Sequence, residues 1–391
     1  MSKQFDSIMQ ITPRPDTMFE RGEGSWLFDS EGNKYLDCVQ GWAVNTLGHC
    51  APPIVEALTE QAGKLINASP AFYNGPMVDC ANLLTKNSVF DQVFFANSGG
   101  EANEGAIKLA RKWGKVNKSG AYKFITFNGG FHGRTLTTMA ASGKAAFEPM
   151  FEPKTPGFTK VAYNDLAATE LAIDDETVAI MLEPIQGEAG VIPADLEFVQ
   201  GLRDLADKHN LLLIVDEVQT GIGRTGTLFA YEGYGIEPDI MTLGKGVGGG
   251  VRISALLAKK DVCVFEPGEQ GGTYNGNPLM TAVSIAVLET VLESDFLATV
   301  NARSEYITMH LMNLSEQFGM GNVRGKGSLL ALDTDDLDAA TIVAKCLEKR
   351  VLINAPQPHA IRLMPALNLS NGEIDQLMET LSEVLTEMTA E

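Results

Sequence analysis

Between about residue 90 and residue 260 the chain alternates short apolar runs with longer amphipathic stretches. The runs are QVFFA (92–96), KFITF (123–127), VAIML (178–182), LLLIV (211–215), DIMTL (239–243) and ISALL (253–257). Between them lie segments such as EANEGAIKLARKW, in which Ala102, Ala106, Leu109, Ala110 and Trp113 fall on one helical face, and EFVQGLRDLADKH (197–209). Continuous apolar strands separated by helices predict an α/β fold with a mostly parallel central sheet covered on both faces. Earlier in the chain, SWLFDSEGNKYLDC reads as a hairpin turning at Asp29–Gly32. Past residue 280 the pattern changes. A helical stretch, MTAVSIAVLETVLESD, leads to strand candidates in VRGKGSLLALDT, KRVLINA and HAIRLMPAL, then to an amphipathic helix, NGEIDQLMETLSEVLTEMT. The expected division is an N-terminal segment with the hairpin (1–50), a large domain (51–280) and a smaller α+β domain (281–391), against which the N-terminal segment packs.

Ligands in an open α/β sheet bind beyond the C-terminal ends of the strands. Here polar or glycine-rich sequence follows five of the runs at that end: NSGGEANEG, NGGFHGR, EPIQGEAG, DEVQTGIGRTG and GKGVGGG. Each has a plain reading beside a functional one. Asn97–Glu101 is a turn with a helix cap, or an anion cup of glycine amides at a helix N-terminus. Asp216 caps a strand end, or pairs with a buried positive nitrogen. Gly221–Gly226 matches GxGxxG after a strand, which keeps a nicotinamide-dependent dehydrogenase as the competing enzyme class. Against it, the strand ends in Asp-Glu-Val-Gln before the glycines, and TLFAYEGYG is a poor helix.

Lys245 is the sharpest oddity, a charge among glycines with apolar sequence on either side. It is not a Walker A lysine, because Asp239 stands where the first glycine belongs and Gly246 where Ser or Thr is required. A desolvated lysine at a strand end loses its proton readily, which suits Schiff-base chemistry with a carbonyl cofactor. Pyridoxal phosphate would need a phosphate cup, a carboxylate for its ring nitrogen and an aromatic ring to stack on, and the sequence offers all three.

Composition narrows the alternatives. The formal charge of −20 argues against nucleic acid or an anionic membrane surface as partner. No run approaches the length of a membrane span, and MSKQFDSIMQ lacks the apolar core of a signal peptide. Cys38, Cys50, Cys80, Cys263 and Cys346 form no CxxC pair, which fits reduced thiols in a cytoplasm and no metal site.

In combination, NSGGEANEGAIKLAR, FHGRTL, EPIQGEAGV, DEVQTGIGRTG, LGKG, GGTYNGNP and VRGKG closely resemble the class III (ornithine/acetylornithine-type) aminotransferases. The resemblance runs over nearly the whole chain and implies the fold-type I pyridoxal-phosphate architecture. It makes Lys245 the Schiff-base lysine and proton shuttle, and Asp216 the partner of the pyridine nitrogen. Gln219 would lie near the ring oxygen, and Phe131 would stack on the ring beside His132. Ser98, Gly99 and Gly100 would hold the phosphate. Thr273 would reach the phosphate of a neighbouring subunit, making a homodimer part of the site. Arg362 would bind the α-carboxylate of glutamate or 2-oxoglutarate, Arg134 a second carboxylate, and Glu188 would pair with Arg362 when the amino donor is bound.

The chain departs from the family pattern at Gly100, where a threonine is common, at Gly272, where a serine is common, and at Arg252, where a proline is frequent. Trp42 and Thr12 replace tyrosines of ornithine-specific members. That points to N-acetylornithine as donor and 2-oxoglutarate as acceptor, in arginine biosynthesis, with Trp42 among the substrate contacts. Ornithine, succinylornithine and 4-aminobutyrate are the alternative donors.

Overall fold

The computed structural model describes residue 5 and residues 7–390, so residues 1–4 and 6 of the opening MSKQFDSIMQ, and residue 391, lie outside the described residues. Among the described residues the largest sheet has seven strands. Across the sheet they run Gln92–Ala96, Ser254–Ala258, Ile240–Leu243, Leu212–Asp216, Thr177–Leu182, Lys123–Phe127 and Phe158–Val161. The pairings are parallel except where Ser254–Ala258 is inserted antiparallel to both its neighbours. The apolar runs marked every strand but the last. Phe158–Val161 is an edge strand with two partly exposed hydrophobic ends and polar Thr159 and Lys160, so it carries no continuous apolar signal.

The central strands are buried on both faces, and their side chains alternate between two cores. Leu212 and Ile214 point to one cluster with Ala106, Leu109, Ala110, Phe124 and Met181. Leu211, Leu213 and Val215 point to the other, with Phe127, Phe198, Leu202 and Val287. The helix Gly99–Asn117 supplies the first layer through the predicted apolar face, and Leu196–His209 and Pro278–Val291 help form the second.

The predicted hairpin pairs Trp26–Asp29 with Lys34–Asp37, after a further strand, Phe19–Glu23. Lys34–Asp37 also pairs in parallel with Val351–Leu352, so the two ends of the chain share one small sheet. A second four-stranded sheet runs Val323–Lys326, Leu329–Asp333, Ala360–Leu363, Asn354–Gln357 and carries Arg362. The final helix spans Asn371–Ala390. No described helix is long and apolar enough to cross a membrane.

GIGRTG is no open dinucleotide turn. Arg224 is 2% exposed and donates to the carbonyls of Ser328 (3.1 Å) and Pro365 (2.5 Å), tying this loop to the second sheet. Burial alone pushes its guanidinium down to about 9. The loop continues into a short 3-10 turn, Ala230–Tyr234, with no helix N-terminus to meet a pyrophosphate.

Close approach of the helix Gly99–Asn117 to the sheet depends on Gly114. A Cβ there would lie 2.0 Å from the carbonyl oxygen of Ala121 and 2.7 Å from Val178 Cγ2. Gly114→Ala is therefore expected to destabilise the protein by about 1–3 kcal/mol through overpacking, despite alanine's better helix propensity, measured as a lower denaturation midpoint.

Candidate active site

Five strand ends converge on one cavity of about 430 Å³, within the usual range for small-molecule sites. Its lining includes Ser98, Gly99, Gly100, Phe131, His132, Arg134, Glu188, Asp216, Gln219 and Lys245. Ten of the residues marked in the sequence thus meet in one place, although up to 147 positions separate Ser98 from Lys245 in the chain.

Asp216 ends strand Leu212–Asp216 and is 3% exposed. Its Oδ2 accepts from His132 Nδ1 at 2.8 Å and from Asn103 Nδ2 at 2.7 Å, and its Oδ1 accepts from the Val218 amide at 3.0 Å. Burial works against a charged His132 imidazole, but the bond to Asp216 and its charge outweigh this and hold the group above its ordinary value. Asn103 also donates to the His132 carbonyl and accepts from Thr242 Oγ1, both at 2.7 Å. Neither Asn103 nor Thr242 was singled out in the sequence. The signal was available: Asn103 is a polar residue on the helix face that Ala102 and Ala106 bury.

The Ser98 turn is both a cap and a cup. Ser98 Oγ accepts from the Glu101 amide, and Glu101 Oε2 accepts from the amides of Asn97 and Ser98. This box leaves the Gly99 and Gly100 amides at the helix start for an outside anion. Gly99 has no room for a side chain, because a Cβ would stand 2.6 Å from Val218 Cγ1. At Gly100 the nearest atom is 3.9 Å away, so the cavity is open there. A Cβ has room there, and its absence leaves position 100 of the anion cup with its backbone donor alone.

Lys245 follows strand Ile240–Leu243 and has a φ of +42°, an uncommon backbone for a residue with a side chain. Burial, aided by Arg362, pushes its amine down to about 8, although Glu188, Glu183 and Asp216 pull the other way. The neighbouring glycines admit protein: a Cβ at Gly249 (φ +55°) would lie 2.6 Å from both Ile54 and Val287, and Gly246 accepts from Thr46 Oγ1 at 2.9 Å.

Phe131 lines the cavity, and its amide donates to Glu183 Oε2 at 2.7 Å. Glu183, also overlooked in the sequence, is a buried carboxyl that desolvation pushes up to about 8. Arg134 is exposed, with its guanidinium 5.6 Å from the Phe131 ring and 5.0 Å from Phe147. Arg362, 1% exposed, stands behind Glu188. It donates to Glu188 Oε1 at 3.0 Å, to the Gly187 carbonyl at 2.8 Å and to Asn354 Oδ1 through two nitrogens. Burial disfavours the Glu188 carboxylate, yet Arg362 holds its pKa below the ordinary value.

Three expected contacts lie outside the lining: Trp42, Thr273 and Arg362, which reaches it only through Glu188. Trp42 is 50% exposed, in a turn where Gln40, Gly41, Trp42 and Ala43 all have positive φ (49°, 64°, 62° and 65°). Thr273 is exposed on the loop before Pro278. Among the described residues no group of three or more His, Cys, Asp or Glu is placed to hold a metal.

These residues fit pyridoxal phosphate: open helix-start amides for the phosphate, a buried anion for a cationic ring nitrogen, and an amine of lowered pKa. Attachment of pyridoxal phosphate to cofactor-free protein should accelerate as pH rises through about 8 and level off above it, since only the neutral amine attacks an aldehyde. Stopped-flow absorbance would report this. Acceleration continuing to the ordinary lysine value of 10.5 would contradict the depressed amine.

Comparison with known proteins agrees. Residues 10–385 match the family model "Aminotransferase class-III". Acetylornithine aminotransferase 2 of Bordetella bronchiseptica is 57% identical over 383 residues, 97% of each chain. The N-acetylornithine aminotransferase structure from Stenotrophomonas maltophilia superposes with a TM-score of 0.85 at 36% identity, covering 97% of both chains. The ornithine aminotransferase of Toxoplasma gondii superposes at 0.92 with 31% identity, over 97% of this chain and 92% of that one, and is described with partial occupancy of PLP at its active site. The α/β architecture is that of fold-type I pyridoxal-phosphate enzymes, and the chain belongs to the class-III aminotransferases.

Proposed function

We propose that this protein transfers the δ-amino group of N-acetylornithine to 2-oxoglutarate, giving N-acetylglutamate semialdehyde and glutamate, a step of arginine biosynthesis. The observation that carries the reading is a pair of arginines, Arg134 lining the cavity and Arg362 just behind its wall, masked by the lining residue Glu188. A guanidinium fork matches a carboxylate bidentately, so two of them suit a dicarboxylate acceptor. While Glu188 covers Arg362, the site offers one free fork, as a donor with a single carboxylate requires.

Pyridoxal phosphate, when bound, supplies the electron sink that lets a proton leave the substrate carbon. The protein holds and moves the charges. Asp216 favours a protonated nitrogen beside it. His132 and Asn103 keep that carboxylate from turning. Lys245 Nζ, neutral in an appreciable fraction near pH 8, takes the proton and returns it. Gln219 borders the cavity, and a Cβ at Gly187 would lie 1.6 Å from its Oε1, so Gly187 admits it.

The cavity's own charges favour a capped donor. Its carboxylates are Glu183, Glu188 and Asp216, and each already has a partner: the Phe131 amide, Arg362, and His132 with Asn103. A free α-ammonium, as in ornithine, would find no unengaged anion in that lining, whereas an acetylated nitrogen needs none. The names of the relatives point the same way.

We also infer a homodimer with shared active sites. Phe72 (69% exposed) and Tyr73 (89%) stand next to Asn74, which donates to the Gly276 carbonyl in the loop that carries Thr273. An apolar surface beside a loop expected to serve another subunit supports self-association. Five unpaired thiols suit a reducing compartment, and we place the protein in the cytoplasm.

The decisive assay compares kcat/KM for acetylornithine, ornithine, succinylornithine and 4-aminobutyrate with 2-oxoglutarate. Acetylornithine should lead, and a clear preference for ornithine would overturn the donor assignment. Arg362→Lys should raise KM for 2-oxoglutarate about tenfold to a hundredfold, because the fork is lost while the charge stays. Analytical ultracentrifugation should give twice the chain mass, and a monomer with full activity would refute the shared site.

A further inference from the structure

Glu188 has a second cationic neighbour. Its Oε1 bonds to Arg362 Nη1 at 3.0 Å, and its Oε2 lies 3.8 Å from Lys144 Nζ. Lys144 is not among the residues that line the cavity, and no role above uses it. Its backbone is nonetheless fixed to the site. Gly143 donates to the Gly130 carbonyl at 2.9 Å and accepts from the Gly129 amide at 3.0 Å. A Cβ at Gly143 would stand 2.1 Å from the Phe127 carbonyl oxygen. Lys144 therefore leaves a backbone pinned against the turn that leads into Phe131. Its side chain is 32% exposed, against 26% for Glu188 and 1% for Arg362.

Charge accounts for the arrangement. When a dicarboxylate keto acid takes Arg362, Glu188 has to give up its bond. A carboxylate released beside an incoming carboxylate is repelled, and in a half-buried position it needs another cation. Lys144 is that cation, on the side of Glu188 served by Oε2. Shortening the 3.8 Å separation by about 1 Å would make it a charge-assisted hydrogen bond.

We propose that Lys144 is a positioning residue that receives Glu188 when the keto acid engages Arg362, so that it sets affinity for the second substrate without touching it. The proposal rests on the two-substrate reading above.

The test uses the holoenzyme and follows each half-reaction separately by cofactor absorbance after rapid mixing. For a partly exposed pair, Lys144→Gln should raise the apparent Kd of 2-oxoglutarate about three- to fivefold and that of the amino donor by less than about 1.5-fold. Lys144→Arg should restore it. In a Glu188→Ala background, Lys144→Gln should have no further effect, because no carboxylate remains to be received. Equal weakening of both half-reactions overturns the proposal. So does an undiminished loss in the Glu188→Ala background, which would mean that Lys144 acts on the substrate directly. Wild-type holoenzyme that turns over 2-oxoglutarate while Lys144→Gln changes nothing sinks this inference alone. Wild-type enzyme inert to 2-oxoglutarate removes the functional reading and this one with it.

Discussion

One buried anion organises the site. Taking a carboxylate out of water costs several kcal/mol unless hydrogen bonds and counter-charge replace what water gave, and stripping a partner from such a group costs about 3–5 kcal/mol. Asp216 meets the requirement with donors from separate parts of the chain: the His132 ring, the Asn103 amide and the Val218 backbone. Asn103 is in turn held by Thr242 of the adjacent strand. Satisfying one carboxylate thus fixes the helix Gly99–Asn117, the Phe131 turn and two neighbouring strands relative to each other. The same helix start leaves its amides free at the cavity, so those donors and the buried anion are held in one frame.

The remaining charges are balanced locally against a strongly acidic whole. With a net −20, the protein repels dicarboxylates at long range, and attraction has to come from a few cations in the cavity wall or just behind it. Each of these is conditional. Lys245 gives up its proton near pH 8, Arg362 is covered, and Arg134 lies over aromatic rings. A site whose positive charges are each partly spent can accept substrates of different charge in turn.

Much of this was legible in the sequence because the fold places strand C-termini together, and polar residues that follow apolar runs announce those ends. Lys245, Asp216, Phe131 and the Ser98–Gly100 turn were found that way. Asn103, Thr242 and Glu183 were not, since each is an ordinary residue type inside or just beyond a regular element, and its importance comes from tertiary burial. The strand Phe158–Val161 escaped because an edge position does not require an unbroken apolar run. The antiparallel insertion of Ser254–Ala258 left no mark in the pattern, as a doubly covered strand is apolar in either direction.

The turn that carries Trp42 sets a different kind of limit. Four successive residues lie in left-handed backbone, and the three with side chains cost roughly 1–2 kcal/mol each. The turn is kept by its anchors: Asp37 accepts from the Val39 and Gln40 amides, both at 2.9 Å, and Ala43 is buried against Ile185 and Met364. In such a backbone glycine and asparagine are the relaxed residues, and β-branched side chains are the most strained. Evolutionary drift at position 42 is therefore filtered twice. Any replacement has to be tolerated by a mirror-image turn before its side-chain chemistry counts, and that narrows the residues open to this exposed position.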